Sequence, residues 1–153
     1  MRLLVFSDTH RRSSGMFRIL MDSMPDVLIH LGDLQSDLDD VRAAFPDLKI
    51  LSVPGNCDYV PEEVLERKIG GVRFFLCHGH QYGVKSGLGR LKAEAKKRGV
   101  RVVLFGHTHR AHLEEEDGIL YLNPGTAAGF SRLTYGEIFL DPEPRAFLRE
   151  ENR

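Results

Sequence analysis

The stretch LLVFSDTH, residues 3–10, joins four apolar residues directly to a polar segment that contains an aspartate and a histidine. A short apolar run that stops this abruptly is typical of a strand buried on both faces, as in a parallel sheet. Val27–Leu31 and Leu48–Val53 repeat the arrangement further along the chain. Because segments with helical features separate the three runs, this part of the chain predicts βαβ units and a largely parallel sheet.

Two helices are predicted between these strands. Gly15–Ser23 carries its apolar side chains at spacings that share one helical face. The second helix is predicted to begin at a cap formed by Ser36 or Asp37 and to reach about Phe45.

The second half of the chain combines two further buried strands with hairpin segments. Val72–Cys77 and Val102–Phe105 are apolar runs, and a helix is predicted between them at Ser86–Arg98. Four later segments are bounded by turn residues, which is typical of antiparallel hairpins: Ala111–Glu115, Ile119–Leu122, Tyr135–Leu140 and Arg145–Arg149. Parallel units followed by hairpins predict an α/β fold in which two mixed β-sheets pack as a sandwich flanked by helices.

Composition narrows the class of protein. The 153 residues are 42% hydrophobic, which suffices for a single domain spanning residues 1–153. A formal net charge of −1 argues against a nucleic-acid scaffold. The N-terminal apolar run is too short for a transmembrane helix or a signal peptide, so we expect a cytoplasmic protein with no membrane association. In that reducing compartment Cys57 and Cys77 are expected to remain free thiols.

Five of the predicted strands end in side chains that can bind a metal. These donors are Asp8 and His10, Asp33, Asn56, His78, and His107 with His109. Because functional sites in such sheets form at the carboxyl ends of the strands, we expect the donors to meet at one rim. Each motif alone is weak evidence, since Asp and Gly are common in turns and a histidine is often a surface residue. Their joint occurrence, in order, at five strand ends favours a metal site.

The donor set indicates the kind of metal chemistry. Two carboxylates, four imidazoles and one amide oxygen exceed the needs of a single ion and suit two divalent ions with one shared ligand. Mixed nitrogen and oxygen ligation favours Mn, Fe, Co, Ni or Zn over Ca or Mg. Two such ions about 3.5–4 Å apart would polarise a phosphoryl group and generate hydroxide at neutral pH.

Taken in order, the motifs resemble those of the calcineurin-like metallophosphoesterase superfamily, and more narrowly of its small YfcE-type phosphodiesterases. The matching segments are DTH (8–10), HLGDLQ (30–35), PGNCD (54–58), CHGHQYG (77–83), FGHTH (105–109) and NPGT (123–126). The resemblance extends roughly from residue 1 to residue 140. It implies the metallophosphoesterase fold, a sandwich of two mixed sheets flanked by helices, and a dinuclear centre that is often manganese-dependent, with Ni, Co, Fe or Zn as alternatives.

The resemblance also implies a role for each donor. Asp33 would bridge the two ions and Asn56 would also hold phosphoryl oxygens during catalysis. The first ion would be bound by Asp8, His10 and His109, and the second by Asn56, His78 and His107. His80 could orient a phosphate oxygen as a catalytic residue, or could be a supporting residue of the turn. Cys57 stands where many relatives have a histidine that is thought to protonate the leaving oxygen, so this step is expected to be altered.

Several other polar residues are expected to lie outside the chemistry. Arg11 and Arg12 follow the first motif and are interpreted as a solvated loop in preference to a substrate contact. His30 lies inside a predicted strand and is expected to be a hydrogen-bonded core residue. His112 follows the GHTH segment and is expected at the surface.

These interpretations predict a phosphodiesterase that hydrolyses small phosphodiesters with hydroxide activated by a dinuclear metal centre. One alternative is a phosphomonoesterase or nucleotide phosphatase on the same scaffold. Another is a non-catalytic interaction scaffold, because the scaffold subunit of the retromer coat shares this fold and fold alone does not establish catalysis. A small phosphodiester is therefore the expected partner, and the sequence makes no prediction of oligomeric state.

Overall fold

The computed structural model describes residues 1–61 and 63–152, and within these ranges the chain forms ten strands and three α-helices. The strands are β1 (Arg2–Phe6), β2 (Val27–His30), β3 (Lys49–Ser52), β4 (Leu65–Ile69), β5 (Val72–Leu76), β6 (Val102–Leu104), β7 (Ala111–Glu116), β8 (Ile119–Pro124), β9 (Arg132–Leu140) and β10 (Pro144–Asn152). The helices are α1 (Ser14–Ser23), α2 (Leu38–Ala44) and α3 (Gly89–Arg98), and short 3₁₀ turns occupy Gln35–Asp37 and His80–Tyr82.

The strands form two mixed sheets of five strands each. The first has the order β10-β9-β1-β2-β3 and the second β4-β5-β6-β8-β7. Strands β1, β2 and β3 run parallel, in a register that sets Leu4 opposite Leu28 and Leu28 opposite Ile50. Strands β5, β6 and β8 are likewise parallel, and antiparallel strands complete both sheets. The predicted two-sheet α/β fold is therefore confirmed.

Alternation along the central strands divides the core into three layers. Leu3 and Val5 point between the sheets, where they join side chains such as Phe74 and Leu104 from the second sheet. Their neighbours point outward: Leu4 packs with α1 and α2. The outer face of the second sheet carries Phe75, Val103 and Tyr121 under Leu91 of α3. Each fully buried large apolar side chain contributes about 1.5–3 kcal/mol, so both faces of each sheet have to be covered.

The structure contains one strand that the sequence analysis missed. β4 consists mostly of charged residues and lies at the edge of the second sheet, paired only with β5 among the described strands. An edge strand with polar side chains carries little hydrophobic pattern, so its identity depends on its partner. The hairpin strands are also longer than predicted, because β9 begins at Arg132 and β10 reaches Asn152.

The helix boundaries differ at their starts. α3 begins at Gly89, three residues later than predicted, and a 3₁₀ turn precedes α2. The predicted side-chain cap at Asp37 is wrong, since its carboxylate accepts no hydrogen bond from α2. It accepts one instead from the backbone N–H of Arg11, at 2.9 Å, and so connects α2 to the loop after β1. Among the described residues, each helix is too short or too polar to cross a bilayer.

Candidate metal centre

The parallel strands of both sheets end at one rim of the sandwich. β1 and β2 lead into the loops of Asp8 and Asp33, and β5 and β6 lead into the loops of His78 and His107. Backbone hydrogen bonds join the loops within each sheet: Asp8 N–H donates to the Gly32 carbonyl at 2.9 Å. The backbone N–H of His107 donates across the sheets to Asp8 Oδ2 at 3.2 Å. The ends of these strands therefore meet at one rim, as predicted.

Six of the predicted donors lie in contact with one another, and they are Asp8, His10, Asp33, His78, His107 and His109. His109 Nε2 is 3.1 Å from Asp8 Oδ1, and His10 Nε2 is 3.4 Å from His109 Nε2. Asp33 Oδ2 lies 3.7 Å from His10 Nε2 and 3.4 Å from His78 Nε2. His107 Nδ1 lies 3.2 Å from His78 Nε2. Such spacings between neighbouring donor atoms suit ligands around a common ion.

Asp8 carries an atom that is difficult to explain without a cation. Its side chain is buried, and Oδ2 accepts a hydrogen bond from the Ser7 hydroxyl. Oδ1 is buried as well and accepts no hydrogen bond of regular geometry from the described residues, although imidazole nitrogens of His10, His78 and His109 lie 3.1–3.9 Å away. A buried carboxylate oxygen normally has a partner, so the residues present fit a metal ion at this position.

His78 is held so that its second nitrogen faces the cluster. Nδ1 lies 2.7 Å from the Leu31 carbonyl oxygen, which can only accept a hydrogen bond, so Nδ1 carries the proton and donates it. Nε2 then points toward Asp8 and Asp33. A histidine that ligates a metal through one nitrogen commonly donates the other N–H to a carbonyl or carboxylate, because that bond fixes the tautomer.

The carboxyl of Asp33 is ionised. Burial opposes ionisation, but the hydrogen bond with His78 and the backbone N–H of Cys57 outweigh it, so the pKa of Asp33 lies well below its usual range. The pKa of His78 is raised, because the hydrogen bond with Asp33 and the charges of Asp8 and Asp33 outweigh its burial. Burial and the neighbouring charges of His78 and Lys85 lower the pKa of His107 to about 4, which leaves that imidazole neutral.

Asp58 organises the ligand loops although the sequence analysis assigned it no role. Its carboxylate accepts three backbone hydrogen bonds, from Asp33 N–H at 3.0 Å, Gln35 N–H at 2.8 Å and Gly55 N–H at 2.8 Å. The loops after β2 and β3 are thereby held together at one side chain. A Cβ at Gly32 would overlap the backbone nitrogen of Gly55, so this close approach also requires glycine. The sequence feature that could have indicated this role is the position of Asp58, two residues after Asn56.

Asn123 and Thr126 support the site from the NPGT segment. The Asn123 amide donates to the Gly106 carbonyl at 2.9 Å and to the Thr108 hydroxyl at 3.0 Å. The Thr126 hydroxyl donates to the Asp8 carbonyl at 2.9 Å. Both side chains brace backbone next to predicted donors, so their hydroxyl and amide groups act by positioning the loops.

Five of the predicted donors adopt left-handed backbone conformations. The φ angles are 57° at Asp8, 44° at His10, 48° at Asp33, 69° at His107 and 58° at His109. For a residue with a Cβ this region costs about 1–2 kcal/mol, and such residues concentrate at functional sites where the surroundings enforce them. The clustering of strain on these five residues is independent support for a site at the rim.

Asn56 is the predicted donor that the structure does not draw into the cluster. Its side chain is exposed, and its hydrogen bond within the described part of the chain runs from Nδ2 to Cys57 Sγ at 3.7 Å. Cys57 lies nearer the centre: its backbone N–H donates to Asp33 Oδ1 at 2.8 Å, and its sulfur forms a possible ligand group with His10 and Asp33. Burial and the charge of Asp33 raise the pKa of the Cys57 thiol. Ligation by Asn56 stays a prediction.

His80 lies on the 3₁₀ turn at the rim, beside the cluster. Its ring centroid is 5.5 Å from that of His78 and 5.9 Å from that of His107. The side chain is half-buried, so one part of the ring faces solvent at the entrance. This placement suits either role foreseen for His80, contact with a phosphate oxygen or support of the turn.

The two remaining histidines, His30 and His112, lie in different environments. His30 is fully buried, accepts a hydrogen bond from Gly32 N–H at 3.3 Å through Nδ1 and lies 3.2 Å from the Thr9 hydroxyl, so the predicted core role is confirmed. Burial lowers its pKa to about 4. His112 was expected at the surface; it is half-buried against Phe105, with ring centroids 6.3 Å apart.

Predictions were also made for the two arginines after His10 and for the two cysteines. Arg11 is exposed, as the interpretation of a solvated loop requires. Arg12 stacks its guanidinium 4.3 Å from the centroid of Phe130 and donates to the Ala128 carbonyl, so it also ties two loops together. Cys57 and Cys77 are free thiols, as expected.

A sandwich of two mixed sheets that gathers carboxylates and imidazoles at its strand ends has the architecture of a metallophosphoesterase. The chain belongs to the calcineurin-like phosphoesterase superfamily, whose domain profile matches residues 1–140. It is accordingly a hydrolase of phosphoesters from a metal-dependent family, and its Asp/His cluster could hold the metal.

The proteins similar to this chain include phosphoesterases and a Vps29 protein. The chain is 35% identical over 130 residues to a probable metallophosphoesterase of Mycoplasma pneumoniae, covering 82% of this chain and 78% of that protein. It is 28% identical over 151 residues to a phosphodiesterase of Methanocaldococcus jannaschii, covering 85% and 86%. Vps29 of Entamoeba histolytica, crystallised with Zn²⁺, covers 99% of both chains with a TM-score of 0.77. At 22% identity this last likeness shows the fold alone.

Proposed function

We propose that this protein is a phosphodiesterase that hydrolyses small phosphodiesters at a centre of two divalent ions, manganese first among the candidates. The observation that carries the proposal is the convergence of two carboxylates and four imidazoles around the unsatisfied Asp8 Oδ1. One ion has no need of six donors drawn from four strand ends. Similarity to the archaeal phosphodiesterase supports a diester as substrate.

The donors form three overlapping ligand groups, one of which is the group of His10, Asp33 and Cys57. Asp8, His10 and His109 form the second group, and Asp8, Asp33 and His78 form the third. Asp33 Oδ2 stands between His10 and His78, which supports the assignment of Asp33 as the shared ligand. We assign His107 and Asn56 to the ion that His78 binds. Bound divalent ions supply Lewis-acid charge for the phosphoryl oxygens and lower the pKa of water.

In this proposal, residues of the chain supply charge, orient ligands and contact the phosphate. Asp33 supplies a negative charge that is ionised and buried, and the buried carboxyl of Asp8 lies close to it, so binding cations relieves an unfavourable electrostatic arrangement. His78 is aimed by its bond to Leu31, and Asp58 fixes the loop of Asp33. We assign to His80, beside His78, the contact with a non-bridging oxygen of the phosphate, and Asn56 would contact the same group from the exposed side.

The absence of a histidine at position 57 supports a preference for diesters with acidic alcohols. A thiol, with a reference pKa of about 8.5, is a weaker proton donor to a leaving alkoxide than an imidazolium. Esters whose alcohols leave without protonation depend least on such a donor. We therefore propose that activated diesters react faster than ordinary monoesters.

The proposed function is tested by a metal-reconstituted screen on the full chain. Protein treated with a chelator and then dialysed is supplied with Mn²⁺, Ni²⁺, Co²⁺ or Zn²⁺, and metal content is measured on the same samples. Bis(p-nitrophenyl) phosphate and p-nitrophenyl phosphate share a leaving group, so their kcat/KM values compare diester with monoester directly. We expect metal-dependent hydrolysis with the diester favoured.

Each contrary outcome of the screen points to one alternative. Faster turnover of the monoester would assign a phosphomonoesterase to the same centre. Protein that binds none of the metals and hydrolyses neither ester would favour the non-catalytic interaction scaffold.

Replacing Cys57 by serine is expected to change kcat/KM on the diester by less than about tenfold. Besides its sulfur, Cys57 contributes to the cluster its backbone N–H, bound to Asp33 Oδ1, and a serine retains that N–H together with a polar side-chain atom. The measurement is kcat/KM with bound metal quantified, alongside Cys57→Ala as the matched variant. A loss of about a hundredfold or more in both variants at full metal occupancy would assign the thiol to the chemistry.

A further inference from the structure

A cavity of about 630 Å³ has in its wall Thr108, the residue between the proposed donors His107 and His109. Its wall includes Lys85, Phe105, Thr108, Arg110 and His112, and we call it the cationic pocket. The volume is in the range of small-molecule sites, which are typically about 300–1,000 Å³. It is large enough for a phosphate together with the sugar or ring to which that phosphate is attached.

The cationic pocket and the proposed active site share the chain segment from His107 to Arg110. Thr108 lies between the donors His107 and His109, and Arg110 follows directly after His109. The Asn123 amide holds the Thr108 hydroxyl at 3.0 Å, so this shared wall is rigidly placed. A substrate with its phosphodiester at the metal centre would therefore extend one ester arm across Thr108 into the pocket.

Lys85 and Arg110 differ in their charge environment from Lys92 and Arg98 of α3, which have carboxylate partners. Lys92 pairs with Glu114 at 2.6 Å, and Arg98 pairs with Glu94 at 2.7 Å. No Asp or Glu among residues 1–61 and 63–152 forms an ion pair with Lys85 or Arg110. Two uncompensated cations at one concave surface raise the local potential and attract an anion.

The part of the pocket wall formed by Phe105 and His112 indicates the second chemical feature of the ligand. Phe105 forms a buried apolar floor, and the ring of His112 packs against it. Glu114 of β7 lies two residues after His112, and its charge is already paired with Lys92 at 2.6 Å. A ligand that fits has an apolar or ring-containing part and a negative group within reach of Lys85 and Arg110.

We propose that the cationic pocket binds a second phosphate, so that the preferred substrate is a phosphodiester with a phosphomonoester on one ester arm. This inference rests on the proposed function, because it places the scissile diester at the metal centre. Lys85 and Arg110 are specificity-determining residues: they contact the remote phosphate and leave the reacting atoms to the donor cluster. The chemistry corresponds to a nucleotide-like diester that carries an additional terminal phosphate.

The test compares two chromogenic substrates that differ only in the remote phosphate. They are the p-nitrophenyl ester of thymidine 5′-phosphate and the same ester carrying a 3′-phosphate. For the metal-loaded protein we expect kcat/KM to be higher by about tenfold or more on the phosphorylated substrate, mainly through KM. In the double variant Lys85→Gln/Arg110→Gln this advantage should disappear, so that the ratio of kcat/KM between the two substrates falls to about 1.

The control variant Lys49→Gln/Arg42→Gln removes the same two charges from the first sheet and its helix, where both residues are exposed. It should retain the full advantage. If it loses the advantage equally, or if wild-type protein shows none while hydrolysing the simpler ester, the cationic pocket is not a phosphate subsite and the phosphodiesterase assignment still stands.

A binding measurement separates the inference from the proposed function. Metal-free protein is titrated with thymidine 3′,5′-bisphosphate and with thymidine 5′-monophosphate by calorimetry. Tighter binding of the bisphosphate, lost in Lys85→Gln/Arg110→Gln, supports the subsite even if neither ester is hydrolysed, a result that would overturn the proposed function alone. Equal binding of the two nucleotides would overturn the subsite.

Discussion

Replacing Asp33 by alanine is expected to reduce kcat on the diester by about 10³-fold or more and to lower the metal content of the purified protein. Asp33 is 2% exposed, and its Oδ2 faces both His10 and His78, so its loss removes a charge from both proposed ion positions. Its Oδ1 also accepts the Cys57 N–H, which would lose its partner. The measurements are turnover with Mn²⁺ and metal content by elemental analysis.

Two companion variants make the Asp33 result specific. Asp22→Ala removes an exposed carboxylate from α1 and should leave turnover and metal content unchanged. Asp33→Asn keeps the size of the side chain but lacks the charge, so it should remain close to Asp33→Ala in activity. Wild-type turnover in Asp33→Ala at unchanged metal content would contradict the proposed role of Asp33 as the shared ligand.

Replacing Asp58 by alanine is expected to lower the free energy of unfolding by about 3 kcal/mol and kcat by about a hundredfold. The carboxylate accepts three backbone N–H groups from the loops after β2 and β3, and alanine would leave all three without this acceptor. Those loops carry Asp33 and Asn56, so both positions would shift. Denaturant unfolding and steady-state kinetics measure the two effects.

A graded series distinguishes positioning by Asp58 from a general loss of stability. Asparagine has one carbonyl oxygen and presents an N–H₂ group where the second carboxylate oxygen stood, so Asp58→Asn should recover only part of the lost activity. Asp39→Ala, which removes an exposed partner of Arg42, is the control and should be neutral. If Asp58→Ala unfolds at the wild-type denaturant concentration and keeps wild-type kcat, Asp58 does not position the ligand loops.

Much of the fold was predictable because its central strands have a clear hydrophobic pattern in a few consecutive residues. β1, β2, β5 and β6 are short apolar runs that stop at polar residues, and each appears within a residue or two of its predicted position. β4 was missed for the opposite reason: an exposed edge strand rich in charges has no local hydrophobic signal, and only pairing with β5 makes it a strand.

The candidate site was predictable in its members and not in its geometry. Asp8 and His109 are more than a hundred positions apart in the sequence, and their contact at 3.1 Å exists only because β1 and β6 end at one rim. The role of Asp58 was concealed in the same way, because its partners Asp33 and Gln35 lie 25 and 23 positions earlier, in the loop after β2. His112, expected at the surface, keeps 41% of its side chain exposed and packs the remainder against Phe105.

Local sequence thus specified the elements and the chemical types of the donors, because hydrophobic periodicity and strand-end motifs are properties of a few consecutive residues. The tertiary structure decided which atoms meet. It set the tautomer of His78 through Leu31, left Asp8 Oδ1 without a hydrogen bond among the described residues, and left Lys85 and Arg110 without a carboxylate partner there. Those features depend on distances between segments that are remote in the chain, and such distances arise only when the two sheets pack.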